Sequence, residues 1–378
     1  MKLQIDPNVS YALALEGGGA RGAYQIGAWR ALTEAGIHIS AVAGTSVGAL
    51  NGALIAMGDL DRAEELWGNI HYSAVMDVDD DEMGDLLRGD LQELDLHRVM
   101  QKVSAIVHNR GLDVTPLRNW IRQVADPAAI RASEQEFFIV TFSVTDKKEL
   151  ELRAKDLTDD ELHDMLLASA YLPAFRIERL AGKLYADGGV RDVLPLHVLI
   201  ENGYKNIIAM RLYGPGIMRP VRIPEGTDVH TIAPKGKLGG ILEFEAEQSK
   251  KNMRMGYYDA MRFLYGLKGK TFYIDSQWSE EQARQFLCAA VRRAGEEMTL
   301  REVHEQRLPA LARQLDAEDG DYRDLAAALL EAAAVRRELP CWKIYTEQEL
   351  LAAVGDAAVD EVLAPREDRG KLLTLTEM

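Results

Sequence analysis

The run Tyr11-Ala12-Leu13-Ala14-Leu15-Glu16-Gly17-Gly18-Gly19-Ala20-Arg21-Gly22 is short and apolar, then closes in glycines. That is how a buried strand of a parallel sheet hands over to a loop and a helix. The spacing predicts a strand over 11–15 and a helix over 22–35, with Tyr24, Ile26, Trp29 and Leu32 among alanines and a stop at Gly36. A second strand is expected over 37–43. It feeds Gly44-Thr45-Ser46-Val47-Gly48, and a helix over 47–57 follows. In a right-handed βαβ unit both strands end on one edge of the sheet, where ligands bind, so the glycine run and Ser46 should be neighbours.

G-x-S-x-G describes an elbow, a tight turn whose glycines remove Cβ clashes and leave a serine hydroxyl exposed at the head of a helix. A serine attacking an ester generates a tetrahedral oxyanion. Each backbone N–H aimed at that oxyanion contributes roughly 3 kcal/mol or more, and glycines allow the close approach. Arg21, at the mouth of the first helix, would extend the positive field or hold the loop in shape. The same run satisfies G-x-G-x-x-G, but the second strand ends in Ala43-Gly44-Thr45-Ser46 rather than in the acid that would hold a ribose. A phosphate loop would need Gly-Lys-Ser/Thr where the chain has Gly22-Ala23-Tyr24.

A serine needs a base, and Lys183-Leu184-Tyr185-Ala186-Asp187-Gly188-Gly189-Val190 supplies a candidate in Asp187. Taken alone, Asp-Gly between apolar runs is also a hairpin signal. The eight histidines are His38, His71, His97, His108, His163, His197, His230 and His304. Of these, His197 and His230 follow Asp187 in the Ser, Asp, His order of an α/β-hydrolase triad. An aspartate near pKa 3.9 matches an alcohol poorly, and burial lessens the mismatch.

Taken together, Gly17 to Gly22, Gly44 to Gly48, Asp187-Gly188-Gly189 and Ala168-Ser169-Ala170-Tyr171-Leu172-Pro173-Ala174-Phe175 closely resemble the patatin-like phospholipase family, in the family's order. The resemblance covers residues 9–275. It implies a three-layer α/β/α sandwich with a mainly parallel central sheet, a Ser46–Asp187 dyad without histidine, and hydrolysis of lipid acyl esters of the phospholipase A or lysophospholipase kind. It further implies oxyanion donation by Gly18 and Gly19, with Arg21 beside them and Gly17, Gly22, Gly44, Gly48, Gly188 and Gly189 shaping the motifs. One departure stands out: Val190-Arg191-Asp192-Val193-Leu194-Pro195 replaces the family's usual asparagines, and Asp192 is placed to perturb Asp187 or the entrance to the site. Acyl transfer to an alcohol other than water shares the same acyl-enzyme. A non-catalytic lipid-binding protein on this scaffold is the reading of another class.

At 378 residues and 47% apolar content the chain is expected to hold a catalytic domain over 1–275 and a helical region over 276–378, serving as cap, lid or oligomer contact. The predicted C-terminal helices span 280–294, 300–315, 322–338 and 347–363, with breaks near Gly295, Gly320, Pro340 and Pro365. An acidic segment over 77–95 reads as a solvated insertion lacking the glycine and closing glutamate of an EF-hand. Cys288 and Cys341 are too few for a disulfide framework, and no ligand spacing implies a metal or other cofactor. The start of the chain has no signal-peptide pattern and no run of eighteen apolar residues occurs, so a cytoplasmic protein is expected. The net charge of −16 argues against nucleic acid. Residues 235–270 run the other way, with eight basic residues against four acidic ones interleaved with Met, Phe and Tyr. They read as a core-facing helix or as a basic amphipathic helix in transient contact with a membrane surface.

Overall fold

The structure, a computed structural model, describes residues 1–88, 112–172, 175–176, 178–295, 298–318 and 320–364. His97, His108, Pro173, Ala174, Pro365 and the 89–95 part of the acidic segment lie outside the described residues. Two compact units are present, Ile5–Ala260 and Met1–Gln4 with Met261–Met378.

The first unit is an α/β fold built on a seven-stranded sheet in the order β4-β3-β2-β1-β6-β7, with β5 pairing off this path to β3. The strands are β1 (Tyr11–Leu15), β2 (Ile39–Thr45), β3 (Glu136–Ser143), β4 (Lys148–Arg153), β5 (Tyr185–Ala186), β6 (Asn206–Met210) and β7 (Asp228–Ile232). β1 runs parallel to β2 and β6, β2 to β3, and β6 to β7. Among the described residues of this sheet, only β4 and β5 run antiparallel, both against β3. β1 is buried at every residue, as a strand covered on both faces must be. On one face Ala12, Ala14, Ala41, Ala43, Phe138 and Val140 form a core with Val198 and Leu199 of the helix Leu196–Glu201. On the other face lies helix α2 (Val47–Met57), which brings Gly52 against the ring of Phe137. Helices therefore cover both faces of a mainly parallel sheet.

The predicted elements around the glycine run appear with small shifts. Gly19–Gly22 forms a 3-10 turn before α1 (Ala23–Glu34), β2 extends to Thr45, and α2 spans Val47–Met57. Asp187 closes no hairpin: it ends β5 and caps the 3-10 turn Gly188–Val190, its side chain accepting from Gly189 N. The acidic segment begins in order. Asp80–Arg88 is helical with Asp80, Asp81 and Glu82 in its first turn, where acids complement the helix N-terminus.

The helix Ala246–Tyr265 occupies the basic stretch. A Cβ on Gly27 of α1 would meet Met253 O at 1.8 Å, and one on Gly256 would meet Tyr24 O at 1.9 Å, so the two backbones touch through glycine.

The second unit is mainly helical, with a two-stranded parallel sheet of Tyr273–Ile274 and Ile344–Tyr345. Its core joins Leu287, Val291, Leu329, Leu330, Leu350 and Val359. Capping boxes at Ser279/Gln282, Thr299/Glu302, Asp321/Asp324 and Thr346/Glu349 start its helices, which is why their beginnings are legible in sequence. The helix expected over 300–315 is interrupted by a π-helical turn at Val303–Arg307. Pro309 explains it: its ring cannot donate to the carbonyl four residues back and crowds it, so the preceding turn widens. Cys288 is buried, Cys341 is partly so, and among the described residues neither is in a disulfide.

Candidate active site

Ser46 stands between the end of β2 and the first turn of α2 with φ 56° and ψ −128°, a strained conformation for a residue with a side chain. The glycines around it are required by space. A Cβ on Gly44 would lie 2.2 Å from Gly48 O, and one on Gly48 would lie 2.3 Å from Leu15 O. Two further contacts hold the turn. Ser46 N donates to Ser169 Oγ at 2.8 Å, and Ser169 Oγ donates to Val140 O of β3 at 2.6 Å. Strand, elbow and the helix Asp159–Ser169 are thus tied through one hydroxyl.

The free end of Ser46 points at Asp187, with Oγ donating to Oδ2 at 2.5 Å. The other carboxylate oxygen accepts from Gly189 N at 2.8 Å, and Asp187 N donates to Tyr171 O. Desolvation outweighs these two hydrogen bonds to the carboxylate and pushes the group up to about 6. A carboxylate at that value is a better proton acceptor than an exposed one.

The glycine run lies against the same pair. A Cβ on Gly17 would meet the Ser46 Cβ at 3.0 Å, and Gly17 N donates to Val193 O on the Asp187 loop at 2.9 Å. Gly19 has φ 57°, and a Cβ there would lie 2.1 Å from Ile241 O. Among the described residues the N–H groups of Gly18 and Gly19 carry no hydrogen bond, whereas Gly17 N and Ala20 N are both used. Arg21 spends its guanidinium on the loop itself, donating to Gly239 O at 2.9 Å and to Tyr213 O at 2.8 Å. Its role in the structure is to brace.

Sequence reasoning did not single out several supports. Glu16 is buried and its Oε2 accepts from Leu212 N at 2.6 Å, Tyr213 N at 3.2 Å and Arg211 Nε at 2.7 Å. Gln25 Nε2 donates to Glu16 O, Asn51 Nδ2 donates to Gly22 O and Gln25 Oε1, and Trp67 Nε1 donates to Asn51 Oδ1. These polar groups are paired because they are buried. Their only sequence signal is polarity inside otherwise apolar helix faces. Ser169 sits in the family-like Ala168-to-Phe175 segment, but nothing local says that its hydroxyl reaches Ser46.

Neither candidate histidine joins the pair. His197 Nδ1 lies 2.7 Å from Asp192 Oδ2, while Nε2 faces Glu151 at 2.9 Å and Glu149 at 3.3 Å. Burial alone would lower this imidazole, but the three carboxylates outweigh it and push it up to about 10. Glu149, Glu151 and His197 bring donor atoms within 4.8 Å of one another, a proximity that this ion pairing explains. Asp192 therefore turns to His197, with its own carbonyl accepting from Thr45 Oγ1 at 3.0 Å. His230 lies on β7, the last strand in the sheet order, pairs with Ile208 of β6 and packs near Tyr11, at the amino end of β1, whereas Ser46 follows the carboxyl end of β2.

Residues 13–200 match Patatin, the patatin-like phospholipase family, and the chain belongs to that family. It is similar to the lysophospholipase nte1 of Aspergillus terreus, 60% identical over 47 residues that make up 12% of this chain and 3% of that protein. The patatin-like phospholipase domain-containing protein 7 of Rattus norvegicus is 58% identical over 45 residues, again 12% and 3% of the two chains. A longer match, 27% over 209 residues, reaches the lysophospholipase NTE1 of Mycosarcoma maydis and covers 53% of this chain and 10% of that one. The chain thus spans a small part of the length of these relatives. Among solved structures, VipD from Legionella pneumophila aligns over 94% of this chain and 88% of its own, with 13% identity and a TM-score of 0.41. Among the described residues no helix is long and apolar enough to cross a membrane.

Proposed function

We propose that this chain is a lipid acyl hydrolase in which Ser46 is the nucleophile and Asp187 the general base. The observation that carries the reading is the 2.5 Å hydrogen bond from Ser46 Oγ to Asp187 Oδ2, formed on a strained elbow beside two unused glycine N–H groups. Ser46 Oγ attacks the carbonyl carbon of an acyl ester as its proton passes to Asp187. The carbonyl oxygen, now an anion, is received by the N–H groups of Gly18 and Gly19. Collapse breaks the bond to the leaving alcohol, which takes the proton back from Asp187 and leaves the acyl group on Ser46. Water then repeats the sequence: it attacks the acyl carbon as Asp187 takes its proton, the acyl–serine bond breaks as that proton returns to Ser46 Oγ, and the fatty acid departs. The names of the relatives, lysophospholipases among them, support a lipid ester as substrate.

The test is to trap the acyl-enzyme. Incubation with p-nitrophenyl esters of graded chain length, followed by peptide mass analysis, should place the acyl mass on Ser46 and release one p-nitrophenol per chain in a burst. Acylation with no later turnover in water, but turnover when a lipid alcohol is added, would make the chain an acyltransferase. A wild type that neither acylates nor turns over, yet binds lipid, would make it a binding protein.

A further inference from the structure

Among the described residues eight large apolar side chains are exposed, and five of them, Val190, Tyr213, Ile217, Met218 and Ile223, sit on two adjoining loops at 40 to 57% exposure. The loops adjoin through their backbones: Ile217 N donates to Gly189 O at 2.9 Å, and Val193 N donates to Ile217 O at 2.8 Å. Gly189 in turn holds Asp187. The second loop is bound equally closely to the glycine run. Tyr213 N donates to Glu16, Tyr213 O accepts from Arg21, and a Cβ on Gly214 would lie 2.0 Å from Gly17 O. The loop that starts at Tyr213 is therefore tied by its backbone both to the glycine run and to the loop after Asp187. With Tyr213 and Ile217 held in this way, internal packing gives no reason for the exposure of their side chains. Single exposed apolar residues need no explanation, but a contiguous group beside a site does.

Its charge runs against that of the molecule as a whole. From Tyr213 to Pro224 the chain has two exposed arginines, Arg219 and Arg222, and no acid, in a protein of net charge −16, with Arg219 lying 3.2 Å from Glu149 and the preceding Arg211 turned to Glu16. Exposed Arg191 stands on the adjoining loop. The basic helix Ala246–Tyr265 is unsuited to the same task, since its exposed positions are Glu247, Lys250, Lys251 and Arg254 while its apolar side chains are buried or half-buried.

We propose that the 213–223 loop, with Val190, is the surface by which this protein docks on a phospholipid bilayer, inserting its apolar tip while the arginines meet headgroup phosphates. The proposal rests on the lipid-hydrolase reading for its biological sense. Because Tyr213 and Ile217 are already held by backbone hydrogen bonds, insertion need not order that part of the loop. It also delivers the Ser46 entrance to the interface, where an acyl ester need leave the bilayer only partly. Apolar insertion and phosphate attraction add, as in other interfacial anchors.

The experiment uses Ser46→Ala protein, so that binding is read without turnover, sedimented with vesicles of phosphatidylcholine alone or mixed with phosphatidylglycerol. Binding to the mixed vesicles is expected. Ile217→Ser/Met218→Ser/Ile223→Ser, made in the same background, should lower the partition coefficient at least about tenfold. Arg222→Glu should lower binding to mixed vesicles more than to phosphatidylcholine alone. Thermal unfolding checks that the variants fold, which side chains already in water should not impair. Equal binding by the triple variant, or no binding of the parent to either vesicle, overturns the proposal. So does self-association that the triple variant abolishes without any lipid binding, which would assign the patch to a second copy. A wild type inert on every ester would sink the hydrolase reading and leave this test intact.

Discussion

Ser46 Oγ donates to Asp187 Oδ2 at 2.5 Å across 141 residues of sequence. Ser46→Ala and Asp187→Asn are each expected to lower kcat on p-nitrophenyl butyrate by about 10³-fold or more, and the double variant by no more than the worse single one, because the two act as a unit. Steady-state kinetics on folded protein decides it. A loss below tenfold in Asp187→Asn would remove Asp187 as the base.

Burial pushes Asp187 up to about 6, and a base must be unprotonated to act. The expected kcat/KM rises about tenfold per pH unit below 6 and levels off above it, with the rise absent in Asp187→Asn. Stability should respond in the opposite sense. The folded value lies above the ordinary 3.8, so the stabilisation from protonated Asp187 is fully present below that value and is lost as pH rises through 6. Relative to wild type, Asp187→Asn should therefore gain about 2–3 kcal/mol between pH 4 and pH 7.5 in urea titrations.

Ser169 is a positioning residue: its hydroxyl accepts from Ser46 N and donates to Val140 O. Ser169→Ala leaves both groups buried and unpaired, at a cost of about 1–3 kcal/mol. With the φ 56° elbow less firmly held, kcat should fall about tenfold with KM little changed. Ser169→Thr, which keeps the hydroxyl, should recover most of the loss if it fits.

Space, more than conformational freedom, dictates Gly48. Its Cβ would meet Leu15 O at 2.3 Å, whereas a Cβ on Gly36 finds nothing within 4 Å despite φ 73°. Gly48→Ala is expected to lose 3 kcal/mol or more, roughly the scale of severe overpacking. Gly36→Ala should lose about 1 kcal/mol from its left-handed backbone and retain activity. Denaturation and ester turnover on both variants test the contrast.

Without a histidine in the proton path, His230→Ala should keep kcat within about threefold of wild type. His197→Gln is expected to lower stability, because it uncouples Asp192, Glu149 and Glu151, while kcat per folded chain is retained. A 10³-fold loss of kcat in either would restore the triad.

The parts legible in sequence are those that a few consecutive residues impose on their own backbone. Leu15 running into Gly17 announces a strand and a close turn, Gly44 and Gly48 announce an elbow, and Ser279, Thr299 and Thr346 announce helix starts, since each requirement is met within a few positions. The family resemblance adds the pairing of Ser46 with Asp187. What no window of sequence could hold is coincidence in space. The hydroxyl of Ser169 under Ser46, the turn of Asp192 toward His197, the bracing of the glycine run by Arg21, and the apolar rim at Tyr213 and Ile217 all join segments far apart along the chain. Local spacing fixes dihedral angles. Only the order β4-β3-β2-β1-β6-β7, closed by burial of its two faces, decides which loops meet at the carboxyl edge and what each side chain finds there.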